Sequence, residues 1–310
     1  MLLVTGATGF VGSAVVALLH QRGYAVRAVV RDPARADVLP AGVERVSADL
    51  ADGEALTRAM DGCEGVFHLA AAVGAPGPEA RELNVGGTRR VVAAARRAGV
   101  RRLVHTSTSA AVCVPDPAGP GCVVDEDAAG GTALTDTYST TKAEAEAVVL
   151  EAVAAGEVDA VVATVVNVYG PSPRGPWSYD QLLAAAARGE VGDVVDTCVG
   201  WVLAEDVAAG QLLAFERGET GRRYVLCGEV ASFPTVLDTF CALAGSPHRV
   251  RALPQGSELA GDAPPFADRS VVYGHLGGYR VRDDGARALG FGARGIEEGL
   301  ALTARWMPAT

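Results

Sequence analysis

Lysine is almost missing from this chain. Of its 27 basic residues only Lys142 is a lysine, while asparagine is confined to Asn84 and Asn167 and isoleucine to Ile296. Arginine, aspartate and valine stand in wherever they will serve, a pattern that reads as base-composition pressure on the coding sequence. A residue that survives such pressure is expected where its chemistry has no substitute. Positive charge is also in deficit. The 37 acidic residues leave a formal charge of −10, and no basic block interrupts the chain. Nucleic acid and anionic membrane surfaces are therefore poor partners. The six cysteines form no CxxC pair and have no histidine at ligand spacing, so neither a metal site nor a disulfide framework is expected. No apolar run reaches the roughly 18 residues of a membrane span. Met1 to Gly6 carries no basic leader-like stretch. On this reading the protein starts at Met1 and works in a reducing cytoplasm.

What is present is apolar substance. Hydrophobic residues make up 49% of the 310, with mean hydropathy +0.21, enough for a full core in one large α/β domain or a domain with a smaller lobe. Short β-branched runs alternate with longer helical segments, the pattern of βαβ units on a parallel sheet. Strands are expected at Leu2 to Val4, Ala25 to Val30, Val43 to Ser47, Gly65 to Ala70, Arg102 to Thr106 and Ala160 to Val166. Helices are expected at Gly12 to Gln21, Gly53 to Met60, Glu79 to Ala98 and Thr137 to Ala155. This spacing predicts a doubly wound, Rossmann-type sheet over residues 1–169. The Pro/Gly-rich stretch Gly170 to Pro176 opens a substrate-binding lobe, residues 170–199 and 230–310, while segments near 200–229 return to the first domain. Pro115 to Gly131 reads as a mobile loop.

Thr5-Gly6-Ala7-Thr8-Gly9-Phe10-Val11-Gly12 follows the first strand and leads straight into the first helix. Glycines at this place let backbone N–H groups approach a pyrophosphate, whose charge the helix N-terminus favours. Dinucleotide binding is the expectation. The end of the second strand then chooses the cofactor: an acidic residue would accept from a ribose 2′-OH, whereas arginine pairs with a 2′-phosphate. The chain reads Val30-Arg31-Asp32-Pro33-Ala34-Arg35. Arg31 and Arg35 favour NADP(H), and a register shift of one residue hands the position to Asp32 and to NAD(H).

The fifth strand ends in Thr106-Ser107-Thr108-Ser109, and about 30 residues later comes Tyr138-Ser139-Thr140-Thr141-Lys142 on a helical segment. A spacing of four puts the phenol and the ammonium on one helix face. A nearby ammonium makes the phenol more acidic, so that it can exchange a proton with a carbonyl or alcohol oxygen. The hydroxyl cluster lies at the carboxyl end of the sheet, where such folds bind ligand. His68 and His105 lie on strands and read as core histidines.

These motifs resemble the extended short-chain dehydrogenase/reductase family, within its NAD-dependent epimerase/dehydratase group and closest to the dihydroflavonol 4-reductase-like branch. The resemblance runs nearly end to end, through TGATGFVG at Thr5 to Gly12, VRDP at Val30 to Pro33, Asp49-Leu50, HLAA at His68 to Ala71, NVGGT at Asn84 to Thr88, YSTTK at Tyr138 to Lys142 and NVYGP at Asn167 to Pro171. Near the end, Leu289-Gly290-Phe291 and Ile296 to Leu300 resemble its terminal helix. The resemblance implies Tyr138 as acid/base, Lys142 as its partner and holder of the nicotinamide ribose, and Thr108 as the hydroxyl at the reacting oxygen, with Ser107 and Ser109 as competitors. It places Asp49 and Leu50 beside the adenine, Ala70 and Ala71 beside the inner ribose and phosphates, and Thr106 among the cofactor contacts. Asn84 would be architectural. Asn167 would touch the substrate or a loop, joined on the substrate side by Ser109, Tyr169 and Trp177.

Members that bind nucleotide sugars often carry Arg-Pro where this chain has Thr164 and Val165. Arg174, Arg249 and Arg251 are the candidates left to meet a diphosphate, whereas Tyr169, Trp177, Tyr179, Trp201 and Phe266 would suit a flat, apolar substrate. The expected activity is NADPH-dependent reduction of a carbonyl on a bulky small molecule by a monomer or homodimer. A nucleotide-sugar epimerase, dehydratase or 4-keto-sugar reductase is the alternative enzyme, and a catalytically idle cofactor-binding sensor or scaffold the alternative of another class.

Overall fold

Leu2–Thr5 is buried along its whole length, and a strand without a polar face belongs in a sheet covered on both sides. The computed structural model describes residues 1–119, 121–261 and 263–307. Strands β1 (Leu2–Thr5), β2 (Val26–Val30), β3 (Glu44–Ser47), β4 (Gly65–His68) and β5 (Arg102–Thr108) are joined by Ala160–Val165 and Arg223–Leu226 in one seven-stranded sheet. All neighbours are parallel, and from the edge the order is Arg223–Leu226, Ala160–Val165, β5, β4, β1, β2, β3. Helices α1 (Phe10–Gln21) and Ala204–Arg217 cover one face through Val15, Val16, Leu19, Val207 and Leu212. Helices α2 (Gly53–Met60), α4 (Gly87–Arg97) and α5 (Thr137–Ala154) cover the other through Leu56, Met60, Val91, Val92 and Val149. The chain is a Rossmann-like α/β protein.

Several boundaries differ from the sequence reading, each for a local reason. β4 stops at His68, because from there the Ala70 and Ala72 amides bond to the side chains of Thr5 and Asn84. β5 runs two residues further than expected, so Ser107 and Thr108 belong to the strand and must point to opposite faces. The expected helix Glu79 to Ala98 is α3 (Gly77–Arg81), a π-helical turn over Glu82–Gly86, and α4. The segment Pro115 to Gly131, expected as a loop, contains Cys122–Asp125, which pairs antiparallel with Cys113–Pro115 and parallel with Tyr279–Arg282. Pro120 within it lies outside the described residues, as do Asp262 and Pro308 to Thr310 of the expected lobe.

Asn167–Tyr169 leaves the large sheet for a small one, pairing with Cys198–Leu203, which in turn pairs with Glu229–Ser232. Behind it Tyr179, Trp201, Phe233 and Phe266 gather with ring centroids 5.2 to 6.2 Å apart, and Tyr169 meets Trp201 at 6.5 Å. Four of the five aromatics that could have walled a pocket thus form this cluster. Among the described residues no helix is long and apolar enough to cross a membrane.

Candidate active site

The glycine loop is built by exclusion. Gly6 has φ +69°, and a Cβ there would lie 2.7 Å from the backbone nitrogen of Ala70. At Gly12 a Cβ would fall 2.0 Å from the carbonyl oxygen of Gly6, so α1 can sit this close to β1 only without one. Gly9 caps α1 in extended geometry, and its added Cβ would meet only the loop itself, at 3.1 Å. Thr8, Phe10 and Val11 complete the turn beside the helix start, where unpaired amides and the helix dipole favour an anion. The residues present fit a pyrophosphate.

At the end of β2 the two competing readings separate. Asp32 is the N-cap of a 3₁₀ turn over Pro33–Val38, its carboxylate accepting from the Ala34 amide at 3.0 Å, while Arg31 is exposed. Arg35 lies with its guanidinium 5.8 Å from the centre of the Trp177 ring. Asp49 turns its carboxylate onto the Ala51 amide at 2.8 Å, and the Leu50 carbonyl accepts from Arg90 at 3.1 Å.

The loop after β4 is tied down by a directed chain of hydrogen bonds. Ala70 N–H donates to Thr5 Oγ1 at 3.3 Å, and the Thr88 hydroxyl donates to the Asn84 carbonyl at 2.6 Å. The Thr5 hydroxyl is thereby turned to donate to His68 Nδ1 at 2.8 Å, and His68 Nε2–H donates to Thr88 Oγ1 at 3.0 Å. The Asn84 side chain accepts from the Ala72 amide at 2.7 Å and donates to Thr141 Oγ1, on α5, at 3.0 Å. Residues Ala70 to Ala72 are thus pinned to both β1 and α5. Burial and the nearby Lys142 charge hold His68 neutral, down to about 3. His105 is buried with its rings' nitrogens unpartnered, and burial pushes it down as well.

Helix α5 begins at Asp136, whose carboxylate accepts from the Ser139 amide at 3.1 Å and the Ser139 hydroxyl at 2.6 Å. Tyr138, in the first turn, is half-buried. Burial pushes its phenol up to about 12, opposed by the Thr108 hydroxyl beside it and by Arg269. Lys142 is buried and donates to the Thr106 carbonyl at 2.8 Å. Burial lowers its ammonium to about 8, with the Glu146 carboxylate pulling the other way. Ser107, the first competitor for the role given to Thr108, donates to Glu146, which forms a buried ion pair with Arg223. Ser109, the second, accepts from the Tyr279 hydroxyl at 3.3 Å.

One substrate-side expectation needs correction. Tyr169 is only 1% exposed, packed beside Trp201, because its strand joins the small sheet. Trp177 is exposed, with its ring beside the Arg35 guanidinium. Asn167 is buried with its amide nitrogen unpartnered. The sequence reading missed Arg269, which reaches the Asp136 cap of α5 from the helix Asp268–His275. In a chain with arginine everywhere, no linear signal set it apart.

A glycine turn between β1 and α1, with a tyrosine and lysine on one helix beside a strand-end threonine, defines a dinucleotide-binding oxidoreductase of the short-chain dehydrogenase/reductase type. Residues 2–227 match the NAD dependent epimerase/dehydratase family, and the chain belongs to it. A candidate dihydroflavonol 4-reductase of Synechocystis sp. is 35% identical over 265 residues, 81% of this chain and 74% of that protein. Cinnamoyl-CoA reductase 1 of Oryza sativa subsp. japonica is 34% identical over 243 residues, 74% of this chain and 72% of its own. Among solved structures, MoeE5 in complex with UDP-glucuronic acid and NAD superposes with a TM-score of 0.77 at 28% identity, covering 98% of each chain.

Proposed function

We propose that this protein is an NADPH-dependent ketoreductase acting on a bulky, apolar or aromatic carbonyl compound. The observation that carries the reading is the seat of α5 on the end of β5, where buried Lys142, one turn along the helix from Tyr138, donates to the Thr106 carbonyl at 2.8 Å, two residues before Thr108. The glycine loop would hold a reduced nicotinamide dinucleotide, which would supply the hydride for the carbonyl carbon. Thr108 and Tyr138 hydrogen-bond the carbonyl oxygen, where negative charge develops, and Tyr138 gives it the proton that completes the alcohol. Lys142 favours the phenolate left behind and, from the same face, reaches the nicotinamide ribose. Gly6, Gly9 and Gly12 with Thr8, Phe10 and Val11 would hold the pyrophosphate, Asp49 and Leu50 the adenine, and Ala70, Ala71 and Thr106 would add further cofactor contacts.

Preference for NADP(H) rests on Arg31 and Arg35. Asp32 caps the 3₁₀ turn with its carboxylate while Arg31 beside it is exposed, which supports the arginines over Asp32 as partners of a 2′-phosphate. The substrate class rests on charge already committed elsewhere. Arg174 pairs with Asp37 at 2.6 Å, Arg251 forks onto Asp193 at 2.7 and 2.6 Å, and Arg249 donates to the His248 carbonyl at 2.6 Å. A nucleotide diphosphate needs paired cations, and these three are engaged. The two plant-type reductase names among the relatives agree with an aromatic carbonyl substrate. The division into a dinucleotide domain and a lobe, a cytoplasmic setting, and a monomer or homodimer belong to the same proposal.

Loss of NADPH absorbance with a panel of aromatic and polycyclic ketones and aldehydes tests it, with UDP-sugars in parallel. Stoichiometric cofactor consumption on the carbonyl panel is expected. Conversion of UDP-sugars without net consumption would replace this reading with that of an epimerase.

A further inference from the structure

The lobe helix Asp268–His275 starts from a strained corner. Phe266 has φ +68°, in the left-handed region that a bulky residue rarely adopts, and its ring centroid is 5.2 Å from that of Tyr179. The corner sets Arg269 in the first turn of the helix with its side chain only 17% exposed. Its guanidinium lies 3.5 Å from the Asp136 carboxylate, donates to the Tyr273 hydroxyl at 3.3 Å and stands 5.0 Å from the centre of the Tyr273 ring. Asp136 is the N-cap of α5, and Tyr138 is two residues further on. A cation from the lobe is thus fastened to the turn that carries the phenol.

A secluded guanidinium costs free energy unless it is well paired. The contact with Asp136 is longer than the 2.7–2.9 Å typical of a charge-assisted hydrogen bond. The carboxylate is also divided, since it serves the Ser139 amide and hydroxyl. Positive charge therefore remains over for the other neighbours. The groups facing Tyr138 are Thr108 from β5, Asp136 from the cap, and Arg269 and Tyr273 from the lobe, with Lys142 following on its own helix. Of these, Tyr273 and Asp136 resist loss of the phenolic proton, and Thr108 and Arg269 favour it.

We propose that Arg269 is a positioning residue for the Tyr138 acid/base. Its guanidinium, held by Asp136 and Tyr273, supplies from the lobe a second cation that complements Lys142 from within α5. The inference rests on the acid/base reading of Tyr138 and extends it. The proton donor is poised by charge from two parts of the chain, so docking of the lobe helix is a condition of catalysis and not only a boundary of the cavity.

The test is an ultraviolet difference titration of phenolate in the NADP⁺ complex, with the Tyr138→Phe protein subtracted to isolate one phenol. Removing a cation this near should raise the Tyr138 titration by at least ~1 pH unit in Arg269→Leu. Arg269→Lys, which keeps the charge, should restore most of the shift. Asp136→Asn keeps a good helix cap but deletes the opposing charge, so the titration should move down. A role in packing alone would produce neither the rescue nor the opposite sign. Equal titrations in the wild type and Arg269→Leu overturn the inference. If Arg269→Leu does not fold, Asp136→Asn decides: a downward move supports the proposal, and an unchanged or upward one overturns it. Carbonyl turnover by Tyr138→Phe is measured in parallel. Retained turnover brings down the acid/base reading and this inference with it, whereas lost turnover with a phenol indifferent to Arg269 brings down this inference alone.

Discussion

Ser107 and Thr108 are neighbours in β5 whose hydroxyls meet different residues of one helix, α5, Ser107 donating to the buried Glu146 and Thr108 standing beside Tyr138, two turns nearer the helix start. Thr108→Val is therefore expected to cut turnover about 10²-fold, the scale of a lost oxyanion donor, with little effect on folding. Ser107→Ala should do the reverse, costing about 1–3 kcal/mol of stability by depriving a buried carboxylate of a donor. Urea unfolding beside steady-state kinetics separates the two. Greater loss of turnover in Ser107→Ala would exchange the assignments.

Tyr138→Phe should leave the fold and cofactor binding intact and reduce turnover at least ~10²-fold. Lys142→Met should damage both turnover and cofactor affinity if one ammonium serves the phenol and the ribose as proposed. Cofactor titration by fluorescence together with single-turnover kinetics checks the distinction. A Lys142→Met protein with unchanged affinity for NADPH would remove the ribose contact from the reading.

Arg31→Ala should erase most of a preference for NADPH over NADH expected at roughly 1.5–3 kcal/mol, the scale of charge-assisted hydrogen bonds. Asp32→Asn should change the preference little, since asparagine also caps a helical turn. Dissociation constants for both cofactors decide. Equal affinities in the unaltered protein would sink the NADP assignment.

Acid should weaken the fold through His68. Its ring is neutral down to about 3 in the native state but takes a proton near its ordinary value of 6.5 in the unfolded chain. Between those values the unfolded state binds the extra proton, so stability present above pH 6.5 falls as pH drops toward 3. One imidazole accounts for up to about 1.4 kcal/mol per pH unit, and His105 adds in the same direction. His68→Gln should flatten this slope in chemical denaturation series, and an unchanged slope would mean that His68 is protonated in the folded protein.

The glycine loop, the Tyr138–Lys142 pair and the parallel sheet were legible because each is local. A turn, a four-residue spacing and a run of valines carry their geometry within a few residues of sequence. The choice among Ser107, Thr108 and Ser109 was not, since it turned on where β5 ends. The aromatics misled for another reason: Tyr169, Tyr179 and Trp201 are as useful to a core as to a pocket, and only the pairing of Asn167–Tyr169 with Cys198–Leu203 shows which they serve. Arg269 was invisible because its partner Asp136 lies more than 130 positions earlier in the chain.

The ion pair between Glu146 and Arg223 also bears on the order in which the molecule is assembled. The two side chains are 4% exposed or less and 77 positions apart. During synthesis, every residue of β1 to β5 and all of α5 emerge before Arg223. Until then Glu146 has the Ser107 hydroxyl and the nearby Lys142 but lacks its guanidinium partner, and breaking such a buried pair costs about 3–5 kcal/mol. The last strand of the large sheet thus completes the seat of the helix that carries Tyr138 and Lys142.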